Sequence, residues 1–273
     1  MLKGFVVPRS TLGAAALAPP PPWHFAGDLL AVEYWSDPDL SADVLPDGIE
    51  PDAKTNGHSV AIFMDYQFTA RNEEYLDPAR YQSRGFLVLL DATWQGASVA
   101  WCPYAYVDND AALMRGWVCG YPEKLGSVHL TRAFAASTPL ANNRRFAACI
   151  SARGQLLAQA HITLRERSEN LAGLLDRPIV TRRYFPRFSA GGREMPAVDE
   201  LVRSVSENMV FTNIWIGEGA LTFPETLGEE LDILAPIKVG RGVRCTFSYS
   251  IEDCAILSNL TVQQPSLLLG VEK

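Results

Sequence analysis

The chain has 273 residues, 48% of them hydrophobic and 20% charged, with a net charge of −7. This composition suits a soluble globular protein with a sizeable core. It argues against a nucleic-acid partner, which brings a Lys/Arg stripe, and no apolar run approaches the roughly 18 residues that span a bilayer.

The N-terminus, MLKGFVVPRSTLGAAALAPPPPWHF, is interrupted by Pro8 and Arg9, so it does not read as a signal peptide. Its proline run predicts a stiff, extended lead-in over residues 1–20. LLAVEYW (Leu29–Trp35) is rich in strand formers, and SDPDLSADVLP carries a Ser/Asp cap with Pro38 near the first turn of a short helix that ends before Pro46. HSVAIFMDYQF (His58–Phe68) is a longer strand. FLVLLDATWQGASVAWCPYAYV (Phe86–Val107) predicts two strands joined near Gln95-Gly96. NDAALMRGWVC opens on the capping residues Asn109 and Asp110 and reads as helical as far as Gly116.

SVHLTRAF alternates like a strand, and ACISARGQLLAQAHITLRER predicts a hairpin turning at Arg153-Gly154. SAGGREMP (Ser189–Pro196) is a loop. MPAVDELVRSVSENMV places Val198, Leu201, Val202 and Val205 at helical spacing, which predicts a helix. VFTNIWIGEGALTF reads as a hairpin turning at Gly217-Glu218-Gly219, and IKVGRGVRCTFSYSI as a last strand. Many strands with repeated hairpins predict a mainly β fold, a closed or sandwiched antiparallel sheet with a few peripheral helices. No linker or internal repeat divides the chain, so residues 1–273 are expected to form one domain.

The five cysteines, Cys102, Cys119, Cys149, Cys245 and Cys254, show no zinc or redox spacing. A reduced, cytoplasmic protein is expected. The histidines His24, His58, His129 and His161 are not spaced as metal ligands. Phosphate-binding loops, dinucleotide fingerprints and nucleophile elbows are missing from the sequence. No metal, ATP, nicotinamide or flavin is expected.

GYPEKLGSVHLTR resembles the core motif of the acetoacetate decarboxylase family: an aromatic residue, Pro, Lys, Lys, Leu. PPPPWHFAGDLLAVEYWSDPDLSADVLPDGIEPD is similar to that family's opening section, and IWIGEGALTFPETLGEELDILAPIKV to its closing section. The resemblance extends from Pro19 to Ser250. It implies a mainly antiparallel β-barrel with a buried pocket, homo-oligomers, and a lysine that forms a Schiff base with a substrate ketone. Relatives of similar fold use that lysine in aldol and dehydration chemistry.

The sequence departs from this pattern where the chemistry is centred. The Schiff-base lysine of the family directly follows the proline, and here that residue is Glu123. Lys124 stands where the family has its second lysine. In an extended segment adjacent side chains point to opposite faces, so Glu123 is expected to face the pocket and Lys124 to face away, unless a bulge adds a residue. An arginine expected before the first strand is missing from FAGDLL. Ser83 stands in for a family glutamate, and Cys119 for a glutamine that some aldolase-like relatives carry.

Three readings follow. In the first, Glu123 is a general acid or base in a cofactor-free lyase or isomerase acting on a carbonyl or β-keto, polyketide-like substrate of secondary metabolism, by enolisation, dehydration or ring closure rather than imine-based decarboxylation. Arg115 holds a carboxylate or enolate by its planar fork, and Cys119, Tyr66, Tyr81 and Gln82 are candidate substrate contacts. In the second, Lys124 keeps the Schiff-base chemistry of a decarboxylase or aldolase-dehydratase. In the third, the barrel binds a small molecule without catalysis. No nucleic-acid or membrane partner is expected in any of them.

Overall fold

A computed structural model describes residues 1–171, 173–189 and 195–261. In chain order its elements are β1 (Trp23–Trp35), α1 (Pro38–Asp43), β2 (Ile49–Pro51), β3 (His58–Thr69), α2 (Pro78–Tyr81), β4 (Gln82–Trp94), β5 (Ala97–Val107) and α3 (Asp110–Val118). They continue as β6 (Glu123–Leu125), β7 (Ser127–Leu130), β8 (Arg145–Ala152), β9 (Gln155–Arg167), β10 (Ile179–Phe185), β11 (Val198–Thr222) and β12 (Lys238–Asn259). Ahead of β1, the lead-in has a single bridge, Lys3 to Ser10, and Trp23 donates its indole N–H to the Pro19 carbonyl at 2.9 Å.

The twelve strands make one sheet in the order β10-β5-β4-β3-β1-β12-β11-β9-β8-β7, with β2 on β4 and β6 on β5. β10 also pairs with β11, so hydrogen bonding runs in a closed circuit from β5 through β4, β3, β1, β12, β11 and β10 back to β5. Most pairings are antiparallel, as the hairpins predict. The β5–β6 and β5–β10 pairs are parallel, which makes the sheet mixed.

Several strands are buried on both faces, so their apolar runs are nearly continuous. In β1, Leu30, Val32 and Tyr34 enter one core with Ala61, Phe63, Phe86 and Tyr106. Leu29 and Ala31 enter the other, with Val60, Ile62, Leu89 and Ala105. The second core surrounds the site described below.

The expected hairpins at Gln95-Gly96 and Arg153-Gly154 are present. All four residues have positive φ, between 49° and 79°, the geometry that fits the twist of a two-residue hairpin. The short helix is present as α1, where the Asp37 carboxylate accepts from the amides of Asp39 and Leu40. Residues 190–194 of the loop expected at 189–196 lie outside the described residues.

Two expectations fail in β11. The helix expected after Pro196 and the turn at Gly217-Glu218-Gly219 are parts of one 25-residue strand. Helical spacing of four apolar residues is outweighed by pairing on both sides, with β10 and β12. Asp199 pairs with Arg182 and Glu200 with Arg183 on β10, so the charges that suit a helix surface are satisfied across strands. The glycines serve close approach rather than reversal. A Cβ at Gly217 would overlap the Thr163 carbonyl, and one at Gly219 would lie 3.0 Å from the Gly240 carbonyl.

Candidate active site

Local rules set α3 and the turn after it. Asn109 accepts from the amides of Ala111 and Ala112 at 2.8 and 3.0 Å and caps the N-terminus. The helix runs to Val118, two residues past the expected end at Gly116. Gly120, with φ +80°, closes it. The Gly120 amide donates to Trp117 and the Tyr121 amide to Gly116, the paired bonds of a Schellman cap. From β10, Arg183 donates to the Val118 carbonyl at 3.1 Å and Thr181 to the Cys119 carbonyl at 2.7 Å. These contacts fix the helix end from which Pro122 leads into β6.

β6 is a three-residue strand lying parallel to β5, with Glu123 opposite Ala105 and Lys124 opposite Tyr106. Ala105 belongs to the second core and Tyr106 to the first. The neighbouring strand therefore sets which way each residue of β6 points, and no bulge intervenes.

Glu123 lines a cavity of about 630 Å³ together with Arg115, Tyr66 and Cys119. Its carboxyl lies against the backbone of Gly116, where an added Cβ would overlap it. Its Oε2 is buried with no hydrogen-bond partner. Burial pushes its pKa up to about 8, and the charge of Arg115 only partly opposes this. A carboxyl of this kind is protonated at neutral pH.

Arg115 is 4% exposed, and no hydrogen bond reaches either terminal guanidinium nitrogen. The guanidinium lies over the Phe68 ring at 4.0 Å and faces Phe25 at 5.9 Å. These aromatic faces partly compensate the buried charge, Tyr66 comes within hydrogen-bonding reach, and no carboxylate among the described residues pairs with the guanidinium. Burial raises the Tyr66 phenol above its ordinary range, with Arg115 and Glu123 near enough to act on it in opposite directions. Tyr249, on β12, is raised mainly by burial and also feels Tyr66, Cys119, Glu123 and Arg115. Both phenols are therefore neutral donors on the cavity wall.

Lys124 takes the other face. Its Nζ donates to the buried carboxylate of Glu229, which also accepts from the Tyr106 hydroxyl at 2.8 Å. Arg153 approaches the second oxygen at 3.6 Å. Burial alone would raise Glu229, but the bonds from Lys124 and Tyr106 outweigh it and hold the carboxylate below its ordinary value.

The remaining expected contacts divide. The Cys119 thiol is pushed up by a hydrogen bond to Cys254 and then by burial, so it is a neutral wall group. Tyr81 stacks on Phe68 at 5.4 Å and Gln82 is exposed, so neither lines the cavity. Sequence reasoning missed Gly116 and Tyr249. The alternation Phe247, Tyr249, Ile251 carried a signal, since all three line the cavity. Among the described residues no group of three or more His, Cys, Asp or Glu side chains converges as a metal-binding set, and no helix is long and apolar enough to cross a membrane.

A two-faced β sheet thus folds around an apolar cavity, and a short strand after Gly-Tyr-Pro presents an ionisable group to it. The family model for acetoacetate decarboxylase (ADC) matches residues 7–260, and the chain belongs to that family of enzymes. Among solved structures it is similar to the enduracididine biosynthesis enzyme MppR with bound HEPES buffer, with 34% identity, a TM-score of 0.87, and coverage of 94% of this chain and 96% of MppR. MppR has also been solved with pyruvate and with the condensation product of pyruvate and imidazole 4-carboxaldehyde. An acetoacetate decarboxylase-like enzyme from Sphingomonas wittichii RW1 shares the fold at 22% identity, with a TM-score of 0.85 and coverage of 94% and 100%. Curated protein sequences gave no match.

Proposed function

We propose that this protein is a cofactor-independent lyase or isomerase of secondary metabolism. It transfers protons on a carbonyl compound that carries a carboxylate, with Glu123 as the acid–base group. One observation carries this reading: a protonated, unpartnered Glu123 carboxyl lies in the wall of an apolar cavity beside a buried Arg115 that meets Tyr66 but pairs with no carboxylate among the described residues. Arg115 has the planar fork that accepts a carboxylate through two parallel hydrogen bonds. With the carboxylate there, its charge cancels that of Arg115 and keeps the Glu123 proton in place. Glu123 then donates its proton to the substrate carbonyl oxygen, and the carboxylate so formed takes the proton from the adjacent carbon, giving the enol and restoring the protonated carboxyl. The same group assists loss of a β-hydroxyl in dehydration. Tyr66 and Tyr249 are further donors for the developing oxyanion. Pyruvate and its condensation product bound to MppR support a keto-acid substrate.

The Schiff-base alternative through Lys124 is disfavoured by the ion pair with Glu229 on the opposite face. Borohydride added during turnover should leave no covalent adduct on any lysine, by mass spectrometry, and Lys124→Ala should lower kcat/KM by no more than about tenfold, less than loss of a positioned acid–base group. An adduct on Lys124 with full loss of activity in Lys124→Ala overturns the reading. Binding of keto acids with neither turnover nor solvent deuterium exchange at the adjacent carbon favours a non-catalytic binding protein.

Gly116 gives a second check. In Gly116→Ala the new methyl group pushes the Glu123 carboxyl out of its seat, and displacement of this order costs on the order of 10²-fold in rate. We expect that loss in kcat, with a smaller change in KM, and wild-type kcat would contradict the placement. The family also supports a homo-oligomer, which light scattering measures, and the five free cysteines accord with a reducing, cytoplasmic location.

A further inference from the structure

We infer that Cys254 is a site of modification by hydroperoxides, with Cys119 as the thiol that closes the resulting sulfenic acid into a disulfide at the cavity wall. The proposed proton transfer uses neither thiol. Cys119 directly follows α3 and lines the cavity, whereas Cys254 is half-buried on β12 outside the cavity wall.

Strand register brings the two together. The turn after α3 rests on the face made by β10, β11 and β12. Thr181 donates to the Cys119 carbonyl at 2.7 Å, and a Cβ at Gly120 would lie 2.9 Å from both the Thr181 hydroxyl and the Val202 side chain. Two residues along β11, Ser204 shares the face of Val202, and Cys254 is its direct partner on β12. Directly opposed residues of paired strands present their side chains on one face, so the Cys254 thiol is on the side of the sheet that meets the end of α3. It packs against the core that contains Cys119, and the Cys119 thiol donates a hydrogen bond to its sulfur. A cation stands close by: Arg183 donates to the Val118 carbonyl at 3.1 Å while paired with Glu200. The bond from Cys119, with help from that guanidinium, holds the Cys254 thiol below its ordinary value against burial and Asp253. The same bond keeps the proton on Cys119. One sulfur is thus the nucleophile and its neighbour the protonated partner.

The Cys254 thiolate attacks one oxygen of the peroxide. The O–O bond breaks, the second oxygen leaves as hydroxide, and the proton given up by Cys254 converts it to water. Cys254 is oxidised by two electrons to the sulfenic acid. The Cys119 sulfur then attacks that sulfur, the S–O bond breaks, and a second water leaves with the Cys119 proton. Two thiols and one hydrogen peroxide give one disulfide and two waters. An S–S bond is shorter than a hydrogen-bond contact, so oxidation draws the end of α3 toward β12. Gly116, against which the Glu123 carboxyl lies, is on the last turn of that helix.

The test treats reduced protein with a small excess of hydrogen peroxide, blocks the remaining thiols and maps the peptides without reduction. A Cys119–Cys254 disulfide should form ahead of any oxidation of Cys149, the other half-buried cysteine, and dithiothreitol should reverse it. Cys119→Ser should stop at a sulfenic acid on Cys254, trapped by dimedone. Cys254→Ser should keep wild-type kcat and show no sulfenic acid on Cys119. Oxidation should lower the rate of solvent deuterium exchange into pyruvate about 10–100-fold in wild type, the scale of a small misplacement in an active site, and leave Cys254→Ser unaffected. Oxidation of Cys149 first, or a sulfenic acid on Cys119 in Cys254→Ser, overturns the inference, as does a disulfide that leaves the exchange rate unchanged. A disulfide formed in a protein that shows no exchange even when reduced supports the modification site and overturns the acid–base role of Glu123.

Discussion

Glu123→Gln should lower kcat by about 10²–10⁴-fold while keeping the fold and the affinity for keto acids. That is the usual contribution of a positioned acid–base group, and the amide cannot give up a proton. In wild type, kcat/KM should be level below neutrality and fall about tenfold per pH unit above about 8, because the protonated carboxyl is the active form. Stability, like activity, falls as pH rises, but over a lower window. Below the ordinary glutamate value of 4.5 the carboxyl is neutral in both folded and unfolded chains. Between 4.5 and about 8 the unfolded chain ionises while the folded one keeps its proton, so wild type loses stability as pH rises, and the loss is complete above about 8. Each unit of difference is worth about 1.4 kcal/mol, so the full effect is of order a few kcal/mol. Urea unfolding at pH 5 and pH 9 should show Glu123→Gln gaining on wild type between the two. A constant gap would mean that the carboxyl is not buried as described.

Arg115→Met should reduce kcat/KM for keto acids by about 10²–10³-fold without lowering Tm. Two charge-assisted hydrogen bonds to a carboxylate are lost with the guanidinium. The folded protein loses no bond to a carboxylate and only the contact with Tyr66, a neutral partner. A buried cation without a counter-ion costs free energy, and a thioether suits the space beside Phe68 and Phe25. Loss should fall mainly on KM for acids and be slight for the corresponding methyl esters. Equal losses on acid and ester, or a large fall in Tm, would make Arg115 a structural group.

The orientations of Glu123 and Lys124 were legible in the sequence for a local reason. The direction of Glu123 follows from strand alternation, and that of Lys124 from the same rule, once GYPEKLG is set against the family motif. The hairpins at Gln95-Gly96 and Arg153-Gly154 were legible because two residues set their geometry. β11 was not, because its strand character comes from partners on β9, β10 and β12, none of which is near in sequence. Its glycines carry the same letter as turn glycines, yet serve strand-to-strand contact. Gly116 was invisible for a similar reason: what it makes room for is a side chain seven residues later that returns to the helix. Tyr81 and Gln82 flank the end of a short helix, α2, where Tyr81 packs on Phe68 and Gln82 is exposed, a local geometry the letters do not show.

The wall around position 123 acts on any ionisable side chain placed there. Its apolar surroundings penalise charge of either sign, and Arg115 adds a cation. For a carboxylic acid the apolar term dominates and the proton stays on. For an amine both terms act together, and the proton comes off. The family's lysine and this chain's glutamate, though opposite in charge when free in water, would both stand neutral at this spot: one as a nucleophile with a free electron pair, the other as an acid with a proton to give. The fold thus specifies a charge state rather than a residue. On the proposed reading, glutamate for lysine at this position exchanges a nucleophile for a proton donor without changing the charge that the wall favours.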